Sequence, residues 1–353
     1  MSGSLVALCG GIGGAKLALG LSRLTNPLIP DHQSLIPDHR SPITDLVVVV
    51  NTGDDFEHLG LSISPDIDTV LYTLGGVADR ERGWGRTDET WHFMEALRQL
   101  GGEAWFQLGD RDLAMHVERT RWLRAGKSLD DFVAHAAVAL GISARILPMT
   151  NDRVRTIVET REGTLPFQRY FVEHRCVPVV RSLRFEGAGE AAPAPGFLEA
   201  ISDPATRAIV ICPSNPYLSV DPILALPGVR EALANAAAPV IAVSPIIGGQ
   251  AVKGPTVKIM AELGIDANTA AVAAHYRGLI DGLVLDEADA ADAGSVDVPV
   301  LVTRTLMTDL ADRERLAREV VAFAGTLSGE TTLSGTGLNV ADGGWLRPVA
   351  VGQ

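Results

Sequence analysis

Cysteine is scarce in this chain: Cys9, Cys176 and Cys212 are three in 353 residues, far apart and without a Cys-x-x-Cys pair. That spacing excludes a disulfide framework and a cysteine zinc site, and leaves reduced structural thiols. Positive charge is also short, with 30 Lys and Arg against 43 Asp and Glu and a net charge of −13. No basic stripe is present, which excludes a general phosphate-backbone binder, so no nucleic-acid partner is expected. An anionic ligand must then be met locally, by a metal ion, a helix N-terminus or a few cationic side chains. Long apolar runs are missing too: nothing approaches the roughly 20 residues of a membrane span, and the N-terminus enters a strand at Leu5 without a basic or long apolar leader. A cytoplasmic protein with no membrane partner is expected.

What is present is apolar: 46% hydrophobic against 21% charged residues, with positive mean hydropathy. This composition fits a compact globule with buried parallel strands. An apolar strand over 5–9 runs into Gly10, Gly11, Ile12, Gly13, Gly14, Ala15 and Lys16 and then a helix, the arrangement that brings backbone N–H groups against phosphate. It does not spell G-x-x-x-x-G-K-[ST], which argues against a P-loop NTPase. Residues 28–40 repeat Leu-Ile-Pro-Asp-His in tandem and read as a surface loop, where His32 and His39 have no frame to fix a metal.

From 87 the pattern turns helical, with a helix start at Asp88 and Glu89, and further helices over 112–124 and 129–140, the last capped by Ser128. Strands are expected at 144–149, 154–160 and 169–172, with a turn at 161–163 and a loop over 187–196. Strands at 208–212, 240–243, 282–285 and 298–302 then alternate with helices over 221–235, 256–263 and 309–323. The expected fold is α/β, a Rossmann-like, doubly wound, mainly parallel sheet. Its core comprises 1–86 and 201–330, with an inserted helical and mixed subdomain over 87–200 and an irregular tail over 331–353.

In such a sheet ligands bind at the carboxyl edge. The glycine turn, the segment Asn51 to Asp55, Ser214 with Asn215, and the loop 244–254 all fall there. Asp54, Asp55, Asp66 and Asp68 gather four carboxylates past one buried strand, and like charges this close call for a cation or a proton. The competing reading for Asp66 and Asp68 is a helix cap after Ser64 and Pro65.

Several motifs together carry a family resemblance: Gly-Gly-Ile-Gly-Gly-Ala-Lys, Asn-Thr-Gly-Asp-Asp, Ile-Ser-Pro-Asp-Ile-Asp-Thr-Val-Leu-Tyr, Arg-Gly-Trp-Gly-Arg-Thr-Asp-Glu-Thr-Trp, Leu-Gly-Asp-Arg-Asp, Cys-Pro-Ser-Asn-Pro and Val-Ser-Pro-Ile-Ile-Gly-Gly-Gln-Ala-Val-Lys-Gly-Pro. In these, spread from residue 10 to 255, the chain resembles the 2-phospho-L-lactate transferase family. The resemblance implies transfer of a phospho-hydroxyacid group from a guanosine diphosphate-activated donor to the ribityl hydroxyl of the deazaflavin Fo, releasing GMP, in coenzyme F-420 biosynthesis. It implies Mg²⁺, with Asp54 or Asp55 plus Asp66 or Asp68 as direct or water-mediated ligands. Donor binding then falls to Gly10, Gly11, Gly13, Gly14, Ser214, Asn215, Ser244, Gly248 and Lys253, with Lys16 either there or in solvent. Deazaflavin contacts fall to Asn51, Thr52, Trp84, Arg86, Asp88 and Asp110, beside Trp91 and Trp105. Arg111 and Asp112 are expected to pair with each other. A homodimer is the default assembly.

Two rivals stay open at this stage. A non-catalytic nucleotide-sugar-binding regulator shares the glycine turn and needs no metal. An NAD-dependent dehydrogenase rests on that turn alone. The donor acid, whether phospholactyl, phosphoenolpyruvyl or 3-phosphoglyceryl, is not assigned by any residue.

Overall fold

The computed structural model describes residues 3–25, 43–252, 254–329, 338–340 and 344–348. In chain order the strands are β1 (Gly3–Cys9), β2 (Ile43–Val50), β3 (Phe56–His58), β4 (Leu61–Ile63), β5 (Arg145–Pro148), β6 (Arg155–Thr160), β7 (Thr164–Pro166), β8 (Val180–Glu186), β9 (Thr206–Ile211), β10 (Val240–Val243), β11 (Ile246–Ile247), β12 (Gln250–Ala251), β13 (Gly282–Asp286), β14 (Val300–Thr303), β15 (Leu338–Val340) and β16 (Leu346–Pro348). The α-helices are α1 (Gly11–Leu24), α2 (Pro65–Leu74), α3 (His92–Gln99), α4 (Asp110–Arg124), α5 (Leu129–Ala139), α6 (Phe197–Ser202), α7 (Asp221–Leu224), α8 (Val229–Ala234), α9 (Thr256–Glu262), α10 (Thr269–His275) and α11 (Leu310–Leu327).

The main sheet runs β15-β16-β14-β13-β10-β9-β1-β2-β5, parallel throughout except for β15 at the edge. Alternation along each strand sends Val6 and Leu8 to one core and Leu5, Ala7 and Cys9 to the other, as a strand period of two requires. Apolar residues of α1, α2, α5 and α11 cover the second face, and those of α6 to α10 cover the first. Both faces are buried, which is why these strands read as continuous Val, Ile and Leu. Starting from β1, the chain builds outward to β2 and β5, then returns to the other side of β1 for β9, β10, β13 and β14. The strand order therefore reverses between β1 and β9, and that is where open α/β sheets bind ligands.

Several expectations need correction. Segment 87–200 is not one insertion: β5 pairs in parallel with β2, and α5 packs into the core, so the third core strand comes from inside that range. Two excursions remain. One carries α3 and α4 around a small core of Ile63, Met94 and Leu108. The other is the antiparallel sheet β7-β6-β8, whose β6–β7 hairpin turns at 161–163 as expected. Helix α3 begins at His92: Asp88 takes a left-handed φ of 52°, and Glu89 accepts from the Arg111 and Asp112 N–H groups. The strand expected at 169–172 is a helical turn, Arg169–Glu173, closed by an ion pair of 2.9 Å between its end residues. The helix expected over 221–235 breaks at Pro227 and Gly228, where Gly228 has φ +79°. The tail is not wholly irregular, since β15 and β16 extend the sheet. The tandem repeat with His32 and His39, and Lys253, lie outside the described residues. No helix among the described residues is long and apolar enough to cross a membrane.

Candidate active site

β1 ends at Cys9, and the chain turns through Gly10 into α1 at Gly11, whose φ of +59° favours glycine. Neighbours explain the next two glycines. A Cβ on Gly13 would lie 2.2 Å from the Pro213 carbonyl oxygen, and one on Gly14 would lie 2.6 Å from Ser214 Oγ. The elbow is thus pressed against the loop after β9, across the reversal point. Ser214 Oγ joins the two, donating to the Gly10 carbonyl at 2.6 Å and accepting from the Gly10 N–H at 3.3 Å. Asn215 Oδ1 accepts from the Tyr217 and Leu218 N–H groups, while its Nδ2 is buried without a hydrogen-bond partner among the described residues.

The carboxylates come from the loops that flank this elbow. Asp66, in the first turn of α2, accepts from the Gly11 N–H at 2.8 Å through Oδ1 and from Asn51 Nδ2 at 2.9 Å through Oδ2. Asn51 Oδ1 in turn accepts from the Gly53 N–H at 2.8 Å, so one amide side chain ties β2, α2 and the Asp54 loop together. Asp54 is 6% exposed, and its Oδ1 has no hydrogen-bond partner among the described residues. Burial, then the charge of Asp66, pushes its carboxyl well above the usual range. Asp55 Oδ2 accepts from Ser64 Oγ at 2.7 Å, and its Oδ1 is buried without a hydrogen-bond partner among the described residues. Burial raises Asp55 to about 7, against the opposing pull of Ser64, Arg155 and Arg119. Asp66 is raised by burial as well, against its bonds from Asn51 and Gly11. Three desolvated carboxylates, two of them with an oxygen unpartnered among the described residues, offer the hard-oxygen donors that a small dication takes. As placed, Asp54, Asp55 and Asp66 do not bring one oxygen each within 4.8 Å of one another, so the donor chemistry fits Mg²⁺ while the spacing is wider than a shared ion needs.

Asp68 stands apart. The fully buried Arg119 donates to its Oδ1, and His116 Nδ1 lies 3.6 Å from its Oδ2. His116 Nε2 lies 3.2 Å from Asp112 Oδ2, and the Tyr72 hydroxyl donates to Asp112 Oδ1. Asp112 therefore pairs with His116 and Tyr72 rather than with Arg111. Asp68, Asp112 and His116 are close enough to share an ion, all their ligand atoms lying within 4.8 Å. Arg119 already supplies the positive charge there, so this cluster reads as the brace between α2 and α4.

The remaining expected residues divide. Thr52, two residues past β2, is 3% exposed, with its Oγ1 buried and without a hydrogen-bond partner among the described residues. Arg86 lies over the Tyr72 ring at 5.5 Å, which ties it to the Asp112 brace. Trp84 is half exposed and meets Trp91 edge-on at 6.0 Å, with the Arg82 guanidinium over both. Asp88 is exposed. Asp110 caps α3, accepting from Thr90 Oγ1 and from the His92 and Phe93 N–H groups, and these bonds hold it below the usual carboxylate range. Ser244 Oγ accepts from the Ile246 N–H, and the Gly248 and Gly249 N–H groups of the β11–β12 hairpin donate to Asp289, so their bonds are local. Lys16 Nζ donates to the Met307 carbonyl at 2.8 Å.

Sequence reasoning missed Ser64, Arg119 and Arg155 as partners of the carboxylates. Arg119 had one visible signal: Asp112, His116 and Arg119 recur on a single helix face, a polar stripe where an apolar one is normal. It also missed the aromatic wall beside Asp55. Phe56 meets Phe106 at 4.9 Å, His58 meets Trp105 at 5.1 Å, and Arg169 covers Trp105 at 4.3 Å.

The profile of the family described as 2-phospho-L-lactate transferase CofD matches residues 5–322. Phosphoenolpyruvate transferases of Streptomyces griseus and Streptomyces coelicolor are 41% and 40% identical over 329 residues, covering 91% of this chain and 98% of each relative. A phosphoenolpyruvate transferase of a Mycobacterium species is 38% identical over 333 residues, at the same coverage. Among solved structures, a UPF0052-family protein of Bacillus halodurans aligns with a TM-score of 0.56 at 16% identity, over 91% of this chain and 99% of that one. That likeness is one of fold.

Proposed function

The chain belongs to the 2-phospho-L-lactate transferase family, and we propose that this transferase of coenzyme F-420 biosynthesis takes its group from a guanosine diphosphate-activated hydroxyacid, uses the ribityl hydroxyl of Fo as acceptor and releases GMP. The names of its relatives favour the enolpyruvyl donor among the three possible acids. The observation that supports this reading is the desolvated trio Asp54, Asp55 and Asp66 at the strand-order reversal, with an oxygen of Asp54 and one of Asp55 unpartnered among the described residues and Asp66 bonded to the glycine elbow.

In the reaction the ribityl oxygen attacks the phosphorus that bears the hydroxyacid, the bond from that phosphorus to the GMP oxygen breaks, and the hydroxyl proton passes to a carboxylate. Little covalent chemistry is asked of the protein, so position and charge decide the rate. Asp54, Asp55 and Asp66 would hold a magnesium ion, which when bound neutralises charge on the diphosphate. Asn51 and the Gly11 N–H orient Asp66, and Ser64 orients Asp55. A carboxylate of this set that the ion leaves uncoordinated would take the hydroxyl proton. The Phe56, His58 and Trp105 cluster offers a flat ring an aromatic wall next to the carboxylates. The test is mass spectrometry of products after incubation with Fo, Mg²⁺ and each of the guanylated phospholactyl, phosphoenolpyruvyl and 3-phosphoglyceryl donors. The expected result is a phosphodiester product and GMP, fastest with the enolpyruvyl donor. Absence of product from all three overturns the reading.

A further inference from the structure

A cavity of about 140 Å³ lies between α1, α2, the loop 76–85 and the first turn of α11. Its wall carries Lys16, Arg23, Arg80 and Arg313, in a protein whose net charge is −13. Arg313 is 8% exposed, and its Nε has no hydrogen-bond partner among the described residues; Arg23 Nε is buried and unpartnered in the same way. A buried guanidinium without a partner is costly to keep, and such groups are normally paired. The nearby acids are already engaged. Asp79 accepts from Arg82 Nε and from the Glu81 and Arg82 N–H groups, and Asp309 caps α11 through the Asp312 N–H. Burial and the charge of Arg80 hold the Arg313 guanidinium below its ordinary value, against a partial offset from Asp309. The close approach of α1 and α11 places Arg313 in this cleft: a Cβ on Gly20 would lie 2.2 Å from the Arg313 carbonyl oxygen.

We propose that this cleft is a second oxyanion site, holding a phosphate group between Arg313, Arg23, Arg80 and Lys16, separate from the reacting carboxylates. Planar guanidinium forks match phosphate geometry and charge. Pockets that take a whole drug-sized ligand run to about 300–1,000 Å³. A cavity of about 140 Å³ therefore takes inorganic phosphate, or the phosphate of a larger molecule whose remainder lies outside. The site adjoins the elbow without being part of it: Ile12 on its wall follows Gly11, and Thr69 lies one helical turn on from Asp66.

The test uses the full chain with a chelator present, so that the carboxylate site binds no cation. Calorimetry and thermal melts are run with inorganic phosphate, with pyrophosphate and with GMP, each against chloride at matched ionic strength. A rise in Tm with phosphate is expected. Arg313→Met should melt higher than the parent without phosphate, because an uncompensated buried charge is gone, and should no longer respond to phosphate. Arg80→Gln, at an exposed position, should keep the parent Tm and bind phosphate about tenfold more weakly. If Arg313→Met does not fold, the Arg80→Gln comparison decides alone. A response to GMP but not to free phosphate, lost in Arg80→Gln, assigns the site to an organic phosphate. No response to any of the three, or a response undiminished in the variants, overturns the proposal.

Discussion

At the scale of single residues, the site is organised by unsatisfied carboxylate oxygens. Asp54 is buried beside Asp66 with an orphan Oδ1, so its charge is a liability until a cation meets it. Asp54→Asn should therefore raise the Tm of the magnesium-free protein, abolish the further rise on adding Mg²⁺, and lower turnover on the order of a hundredfold or more. A variant that melts lower than the parent in chelator contradicts this account. Asp55 gives a pH signature. Its folded pKa, about 7, stands above the ordinary carboxylate value of 3.8, so the native state holds its proton more tightly than the unfolded chain. The stability from that proton is complete below the unfolded pKa and is lost as pH rises through about 7. Urea melts in chelator should show stability falling between those limits, and Asp55→Asn should flatten the slope. With Mg²⁺ the slope should shrink, since a cation favours the ionised form. The acids themselves were legible in sequence, because they crowd the end of an apolar strand. Their partners were not: Arg119 reaches Asp68 from 51 positions away, and no local pattern pairs them.

At the scale of elements, two joints deserve tests of opposite kind. In the elbow, Gly13→Ala drives a methyl into the Pro213 carbonyl, a backbone atom that cannot swing aside. A loss of about 1–3 kcal/mol is expected from denaturant titration. Gly11→Ala meets nothing within 4 Å and suffers only its positive φ, so the loss should be smaller, about 1 kcal/mol. Equal losses would mean that conformation, not contact with the β9 loop, sets the need for glycine. The second joint is a reciprocal clasp between α3 and α4. Asp110, the first residue of α4, caps α3, while Glu89 accepts from the Arg111 and Asp112 N–H groups at the start of α4. Asp110→Ala and Glu89→Ala should each lower stability by about 1 kcal/mol, and the double variant by less than the sum, because either loss frees the same pair of helix ends. The start of α4 was placed within two residues from sequence and α5 was found with its Ser128 cap, whose capping box the structure contains. The clasp was invisible, since Asp88 and Glu89 look like the first turn of a helix that in fact begins at His92.

At the scale of the whole molecule, the sheet was readable because each core strand is a short apolar run followed by polar or glycine-rich sequence. β5, expected in an inserted subdomain, is four residues long and follows three helices, so nothing local marks it as the partner of β2. Its true place matters, because it makes the first excursion a loop thrown out between β2 and β5, which must be held down at its far end. The brace of Asp68, His116, Asp112 and Arg119 does this, joining α2 to α4. Arg119→Met removes one partner of a buried pair and leaves Asp68 uncompensated, for an expected loss of about 3–5 kcal/mol. Asp68→Leu combined with Arg119→Met removes both charges and should recover much of that loss. If the excursion carries acceptor contacts and the elbow carries the donor, the single variant should raise KM for Fo more than KM for the guanylated donor. Hydrogen exchange should rise first in α3 and α4, while β1, β9 and α1 stay protected. Equal destabilisation of the single and double variants would show that Arg119 acts through packing rather than charge. An equal rise in both KM values would show that the brace supports the carboxylate site as a whole rather than the acceptor side alone.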